Sequence, residues 1–159
     1  MEASSRGEAA EVRTLLEDGA DVNFASPVLG FTALMAAVYA GQEETARVLI
    51  AAGAEVNCET REGYSTCNDC PLTLAVKVQD PSIVALLLQA GARVDIRDSR
   101  GRTALMYAVS SGNPEIVRLL LSAGASPAAR DHEGLTIFNW LALAPGNKAV
   151  IRHMLEELK

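Results

Sequence analysis

The fold is decided by a stretch in the second half of the chain, GRTALMYAVSSGNPEIVRLLLSAGA, at residues 101–125. Its apolar residues recur at the spacing of two short amphipathic helices, one around Leu105 and one around Leu120. Pro114 suits the first turn of the second helix, where its missing N–H costs no hydrogen bond. Gly124 suits the left-handed position just past the end of that helix. The stretch therefore predicts two antiparallel helices followed by an extended loop.

The same unit recurs along the chain, as two series of glycines indicate. Gly-Ala pairs begin at positions 19, 53, 91 and 124, so they are 34, 38 and 33 residues apart. Loop glycines at positions 30, 63, 101 and 134 are 33, 38 and 33 residues apart, so both series place an insertion in the same copy. One helix pair cannot bury two apolar faces alone, and stacked neighbours supply the missing cover. We predict an all-α solenoid with a capping unit at 1–23, full units at 24–57, 58–95 (with an insertion at 64–69) and 96–128, and a second capping unit at 129–159.

Composition narrows the classes of function. Hydrophobic residues make up 49% and charged residues 21%, which is ordinary for a folded domain. A net charge of -6 argues against nucleic-acid binding, which depends on Lys and Arg neutralising phosphates, and against docking on an anionic membrane. No apolar run approaches the ~20 residues that span a bilayer. We expect a monomeric cytoplasmic protein; the alternative is a secreted or exported one whose targeting segment is absent from this chain.

The repeats resemble ankyrin repeats, whose unit of about 33 residues has a turn, two helices and a Thr-Pro-Leu-His-like tetrapeptide opening the first helix. The resemblance covers essentially the whole chain and implies the ankyrin fold. The corresponding tetrapeptides are TALM at 32–35, CPLT at 70–73, TALM at 103–106 and TIFN at 136–139, and the downstream signature appears as LIAAGAEVN at 49–57 and LLQAGARVD at 87–95.

The resemblance also implies a function, which is to bind a protein or peptide on a concave face lined by the loops and the first helices. An adaptor or recognition module without cofactor or catalysis is the main hypothesis. A regulatory or substrate-recruiting domain of a larger enzyme or complex is the alternative. By position in the repeat, the predicted contact residues are Val28, Leu29, Phe31, Met35, Tyr39, Tyr64, Lys77, Arg97, Arg100, Arg102, Tyr107, Ser110, Arg130 and His132.

Two features of the residues themselves favour such a surface. The loop at residues 24–29 is apolar where the corresponding loops are charged, and exposed apolar clusters often mark interaction sites. Four arginines fall on adjacent loops of an otherwise acidic chain and are suited to grip an acidic peptide. The alternatives are that the apolar loop folds back onto the capping unit at 1–23 and that the arginines pair with Asp98 and Asp131.

The cysteines raise a third hypothesis, a redox-sensitive binding protein. Cys67 and Cys70 form a Cys-x-x-Cys pair, which is typical of a redox dithiol or of half a zinc site. A zinc ion would need a fourth ligand beside this pair and Cys58, and both histidines lie two repeats away, so we expect no metal site. A labile Cys67–Cys70 disulfide and an insertion without chemistry are the two alternatives.

Other polar residues have structural explanations. No nucleophile, base and orienting group can be assembled from the spacing, so we predict that the chain is not an enzyme. Asn23, Asn57 and Asp95 occupy one repeated hairpin position, where the side chain is expected to bond loop backbone. The resemblance further implies that Asn23 and Asn57 are candidate substrates of a 2-oxoglutarate-dependent asparagine hydroxylase, if the host has one.

Overall fold

A computed structural model describes residues 9–27, 30–58 and 70–157 of the chain. Within these ranges the backbone forms nine α-helices, and extended pairing is limited to two isolated bridges. The prediction of an all-α fold is confirmed. The chain divides into two compact units, Met1–Ala92 and Arg93–Lys159. The finer division into five repeats stays a prediction.

The first unit consists of a lone helix followed by two helical hairpins. In both hairpins the two helices pack on each other, and the hairpins stack first helix on first helix and second on second. The lone helix packs on the second helix of the next hairpin. Leucines at repeated positions fill the interior, and Leu34, Leu49, Leu72 and Leu87 are fully buried. The helices are α1 (Ala9–Glu17), α2 (Ala33–Tyr39), α3 (Glu43–Ala51), α4 (Pro71–Lys77) and α5 (Pro81–Gln89).

The second unit consists of two more hairpins, which stack in the same way. Its core is filled by aliphatic side chains from all four helices, such as Leu105, Leu120, Ile137 and Ile151, all of them buried. Burial of these side chains supplies the main stabilisation of so small a unit, since each contributes about 1.5–3 kcal/mol. The helices are α6 (Ala104–Ser111), α7 (Pro114–Ser122), α8 (Ile137–Leu143) and α9 (Lys148–Glu156).

The turn residues take the places that the sequence predicts. Pro114 is the first residue of α7, and the preceding residue, Asn113, caps the helix with its side chain. Past the end of α7, Gly124 adopts a φ of 88°. The amide of Ala125 donates to the carbonyl of Leu120 at 3.0 Å, which closes the helix end. These two signals fix the length of α7 and the exit of the chain toward the next loop.

Replacing Asn113 by alanine should lower the free energy of unfolding by about 1 kcal/mol. The reason is that Asn113 Oδ1 accepts the amides of Glu115 at 3.1 Å and Ile116 at 3.2 Å, and alanine offers these amides nothing. Chemical denaturation measures the loss. Asn113→Asp keeps the acceptor and should unfold close to the wild type. Equal losses in the two variants would contradict the capping role.

Candidate functional site

In the first unit, the described part of the predicted surface centres on finger A, the loop at residues 24–32. The amide of Ser26 donates to the carbonyl of Phe31 at 2.8 Å, and Ala25 pairs with Thr32 in an antiparallel bridge. Phe24 stands at the base of this short hairpin with 58% of its surface exposed. Finger A therefore presents an aromatic ring to solvent. Its predicted contact residues Val28 and Leu29 lie outside the described residues.

A second aromatic group stands beside finger A. The rings of Phe31 and Tyr39 meet edge to face, with centroids 6.4 Å apart and planes 70° apart. Phe31 is half-buried, whereas Tyr39, at the end of α2, is 66% exposed. The packing against Phe31 holds the tyrosine in place, so its exposed surface is presented on a rigid support.

Met35 does not belong to this surface. Its side chain is fully buried in the first turn of α2, next to Leu34, on a helix against which both α3 and α4 pack. The prediction that Met35 contacts a partner is therefore wrong. Lys77 lies half-buried in the last turn of α4. Tyr64 lies outside the described residues.

In the second unit, finger B (residues 97–103) is built around the buried carboxylate of Asp98. Asp98 Oδ1 accepts the amides of Arg100 at 2.8 Å and Arg102 at 2.9 Å. Asp98 Oδ2 accepts the Arg102 guanidinium through Nε and Nη2, both at 2.8 Å, and the Tyr107 hydroxyl at 2.7 Å. The Arg102 guanidinium also lies 4.8 Å from the Tyr107 ring centroid, within range of a cation–π contact. The loop is therefore tied to the first helix of its own repeat.

These contacts decide the ionisation of Asp98. Burial on its own raises the pKa of a carboxyl group. Hydrogen bonds donated by Tyr107, Arg102 and Arg100 outweigh it, so the pKa of Asp98 lies below its ordinary value. The carboxylate is charged at neutral pH, and it neutralises the guanidinium of Arg102.

Finger C, at residues 130–136, repeats this construction with a different ring. Asp131 Oδ1 accepts the amides of Glu133 at 3.0 Å and Leu135 at 2.9 Å. Asp131 Oδ2 accepts the indole N–H of Trp140 at 3.1 Å. Trp140 follows its aspartate by nine residues, as Tyr107 follows Asp98. Trp140 is not among the contact residues predicted from the sequence, although this nine-residue spacing from the aspartate is a signal that could have found it.

The other finger arginines bond to neutral groups. Arg97 Nη1 donates to the carbonyls of Gly101 at 3.0 Å and Arg130 at 2.6 Å, and Arg130 Nη1 donates to the carbonyl of Gly134 at 3.0 Å. The Arg100 side chain is exposed and makes no ion pair within the described part of the chain. The alternative of arginine–aspartate pairing is therefore realised by Arg102 with Asp98, and not by Arg97 or Arg130.

A shallow cavity of about 280 Å³ lies between fingers B and C. The amide of His132 donates to the carbonyl of Arg100 at 2.9 Å, which joins the two loops, and the His132 imidazole lies against Gly101. Of the other predicted residues in this unit, Ser110 is half-buried on α6. The cavity is lined by Ser99, Arg100, Arg102, Asp131, His132, Glu133, Leu135 and Trp140.

Repeated loops of this construction agree with a comparison against known families. A family model described as ankyrin repeats in three copies matches residues 1–60 and 58–131. The chain belongs to the ankyrin-repeat family. The predicted family and fold class are thereby confirmed.

Several ankyrin-repeat proteins are similar to this chain over part of their length. Ankyrin repeat and SOCS box protein 6 of Mus musculus is 37% identical over 98 residues, which is 61% of this chain and 22% of that protein. Ankyrin repeat and SAM domain-containing protein 6 of Rattus norvegicus is 35% identical over 101 residues, which is 64% of this chain and 11% of that protein. Ankyrin repeat and KH domain-containing protein mask-1 of Caenorhabditis elegans is 33% identical over 106 residues, which is 67% of this chain and 4% of that protein. The chain therefore spans less than a quarter of these relatives.

The ankyrin hairpin asparagines hold successive loops together. Asn23 Oδ1 accepts the amide of Glu55 at 2.8 Å, and Asn57 Nδ2 donates to the carbonyl of Gly91 at 3.2 Å. In the second unit, Asp95 Oδ1 accepts a loop amide one repeat later at 3.1 Å. The expected bonding of these side chains to loop backbone is confirmed. Hydroxylation of Asn23 and Asn57 stays a prediction.

Of the three cysteines of this ankyrin chain, Cys58 and Cys70 are among the described residues. Cys67, like the rest of the predicted insertion, lies outside the described residues, so the Cys67–Cys70 disulfide stays a prediction. Cys70 is buried just before α4, where its amide donates to the Thr73 hydroxyl at 3.0 Å. Burial raises the pKa of Cys58 above its ordinary value, which disfavours the thiolate needed for redox exchange.

In residues 9–27, 30–58 and 70–157, no group of three or more His, Cys, Asp and Glu side chains is arranged to hold a metal ion. Over the same residues, no helix combines the length and the apolar character needed to cross a membrane.

Proposed function

We propose that the chain is a protein-recognition module that binds a partner protein or peptide with its fingers and the adjoining first helices. The observation that carries the proposal is that exposed aromatic and arginine side chains stand on loops with internal hydrogen bonds and, for Tyr39, at the end of an adjoining first helix. In the first unit these are Phe24 and Tyr39, and in the second unit Arg97, Arg100 and Arg130. Aromatic and arginine side chains dominate binding energy at protein interfaces. Ankyrin repeats in general are protein–protein interaction modules, which supports the proposal.

The buried acids of the fingers are better explained by structure than by catalysis. Each oxygen of Asp98 and Asp131 accepts at least one hydrogen bond from its own loop or helix. A general acid or base must instead exchange its proton with a substrate. The ankyrin repeat is a non-catalytic interaction fold, and we propose that this chain is a binding protein rather than an enzyme. That it acts as a monomer in the cytoplasm is part of the same proposal.

A second candidate function is recruitment within a longer protein or complex. It is favoured by the relatives, whose names combine ankyrin repeats with a SOCS box, a SAM domain or a KH domain. The chain spans less than a quarter of each of these proteins. In this case the fingers would bind a substrate or regulator, and another domain would supply the activity. Both candidates require the same binding surface.

Capture of a partner from an extract of the organism that encodes the chain tests the surface. Tyr39→Ala removes the exposed ring, and Arg100→Glu reverses an exposed charge. We expect whichever of the two residues contacts the partner to be a hot spot worth about 2 kcal/mol. Its substitution should therefore weaken binding at least about 30-fold. Thermal unfolding of both variants checks that they fold.

Arg152→Glu is the matched control, because Arg152 is an exposed arginine on α9 and belongs to none of the fingers. This variant should capture the partner as well as the wild type does. If Tyr39→Ala and Arg100→Glu both retain a captured partner at full affinity, the proposed surface is wrong.

A further inference from the structure

We infer that fingers B and C bind an acidic peptide segment that also carries an apolar side chain. The carboxylates of the peptide would pair with Arg97, Arg100 and Arg130, and its apolar side chain would rest on Trp140 and Leu135. The inference depends on the proposed function and specifies the chemistry of the partner.

The exposed charge of the two fingers is positive in an acidic chain. Fingers B and C contain four arginines against three carboxylates, whereas the chain carries a net charge of -6. Two of those carboxylates, Asp98 and Asp131, are only 5% and 8% exposed. Asp98 is also neutralised by Arg102. Three exposed arginines therefore face solvent with Glu133 as the single exposed carboxylate of these two loops. This surface is complementary to an acidic partner.

Two of the three arginines are already fixed in position. Nη1 of Arg97 donates to the carbonyls of both Gly101 and Arg130, and Nη1 of Arg130 donates to the carbonyl of Gly134. A guanidinium has five N–H donors, so these bonds leave donors for a carboxylate. Side chains ordered before binding lose less conformational entropy when a partner arrives. The neutral carbonyls fix the geometry and leave the positive charge in place.

The cavity between the fingers supplies the apolar part of the site. Trp140 and Leu135 contribute apolar surface to it, and both are half-buried. Arg100 and His132 lie on the same cavity. Its volume of about 280 Å³ is below the usual 300–1,000 Å³ of a small-molecule pocket and suits a single side chain of a bound peptide. An apolar residue and a neighbouring acidic residue of one peptide can therefore bind together.

The tryptophan provides a direct measurement, because Trp140 is the single tryptophan of the chain. The full chain is titrated with a blocked decapeptide in which glutamate and leucine alternate, and Trp140 fluorescence is followed. A peptide with glutamine in place of glutamate is the matched neutral ligand. We expect saturable binding of the glutamate peptide with a Kd at least about tenfold lower than that of the glutamine peptide. The difference should shrink as salt is added.

Variants and a third ligand make the test specific. Arg100→Gln should raise the Kd for the glutamate peptide about tenfold, whereas Arg152→Gln on α9 should leave it unchanged. Equal affinity for the two peptides, no fluorescence response, or equal losses in the two variants would overturn the inference. So would binding of a single-stranded oligothymidylate as tightly as the glutamate peptide. If the partner capture succeeds while the glutamate peptide fails, the recognition module stands and its acidic specificity is wrong.

Discussion

Replacing Gly101 by alanine should lower the free energy of unfolding by about 3 kcal/mol. The backbone at Gly101 has a φ of +75°, which costs an L-residue about 1–2 kcal/mol. An added Cβ would also overlap the His132 ring and lie 3.0 Å from the His132 backbone nitrogen. The exposed His132 ring can rotate away, but its backbone nitrogen is bound to the carbonyl of Arg100 at 2.9 Å, so finger C must shift by a few tenths of an ångström against that bond. Overpacking of this kind costs a further 1–3 kcal/mol or so.

Gly134→Ala is the matched control, since Gly134 holds the same place in finger C. Its φ is +77°, yet a Cβ there would have no atom within 4 Å. This variant should lose only the conformational part, about 1–2 kcal/mol. Urea denaturation of both variants gives the comparison. If they lose the same stability, the two fingers are not in close contact at Gly101.

Replacing Asp98 by alanine should destabilise the chain by about 3–5 kcal/mol, the usual cost of removing one partner of a buried ion pair. The substitution leaves the Arg102 guanidinium, whose side chain is only 12% exposed, without its carboxylate. It also removes the acceptor of the Tyr107 hydroxyl and of two loop amides. Asp131→Ala removes an acceptor but no ion pair, so its cost should be nearer 1–3 kcal/mol. Denaturant unfolding that ranks the two variants in the opposite order would contradict this explanation.

The same residue predicts a pH dependence. The pKa of Asp98 is lower in the folded chain than in the unfolded chain, so the folded state holds this carboxyl ionised more tightly. The stabilisation is complete above the unfolded value of about 4 and is lost as the pH falls through the folded value. The gap in unfolding free energy between the wild type and Asp98→Asn should therefore be constant near neutral pH and close in acid. A difference in unfolding free energy that widens on acidification would mean that the pKa of Asp98 is shifted in the opposite direction.

Local signals were sufficient to predict the helices and their ends. The spacing of residues such as Leu105 and Leu120 reports which face of each helix is buried, and Pro114 and Gly124 mark a start and an end. These features act within one or two helical turns, so they can be recognised from the sequence alone. The repeat then extends one unit to the rest of the chain, which explains why the family and the helical fold were predicted correctly.

It was harder to predict which side chains of the first helices are exposed and which are buried. Met35 and Tyr39 are one helical turn apart in α2, yet the first is buried and the second is exposed. Helices α3 and α4 both pack on α2, and Tyr39 is the last residue of that helix. Such cover depends on how neighbouring hairpins stack, which a position within one repeat does not specify.

The roles of the arginines also depend on contacts between loops. Arg102 is paired with Asp98, while Arg97 is bound to a carbonyl of the next finger. Both residues belong to one short loop, and the sequence offered charge pairing and partner binding as alternatives for both. The outcome depends on which group each guanidinium can contact. Arg102 lies beside the buried Asp98, whereas Arg97 lies beside a carbonyl of the adjacent finger. Trp140 was missed for a related reason, because its bond to Asp131 joins a loop to a helix.

Oxidative footprinting of the chain, free and with its captured partner, tests most directly whether the fingers and first helices bind that partner. Hydroxyl radicals report the accessibility of side chains, and Tyr39, Trp140 and Met154 are all reactive toward them. We predict that the partner slows the oxidation of Tyr39, Trp140 or both, and leaves Met154 on α9 unchanged. Protection of Met154 with no change at Tyr39 and Trp140 would place the partner on α9 and contradict the account.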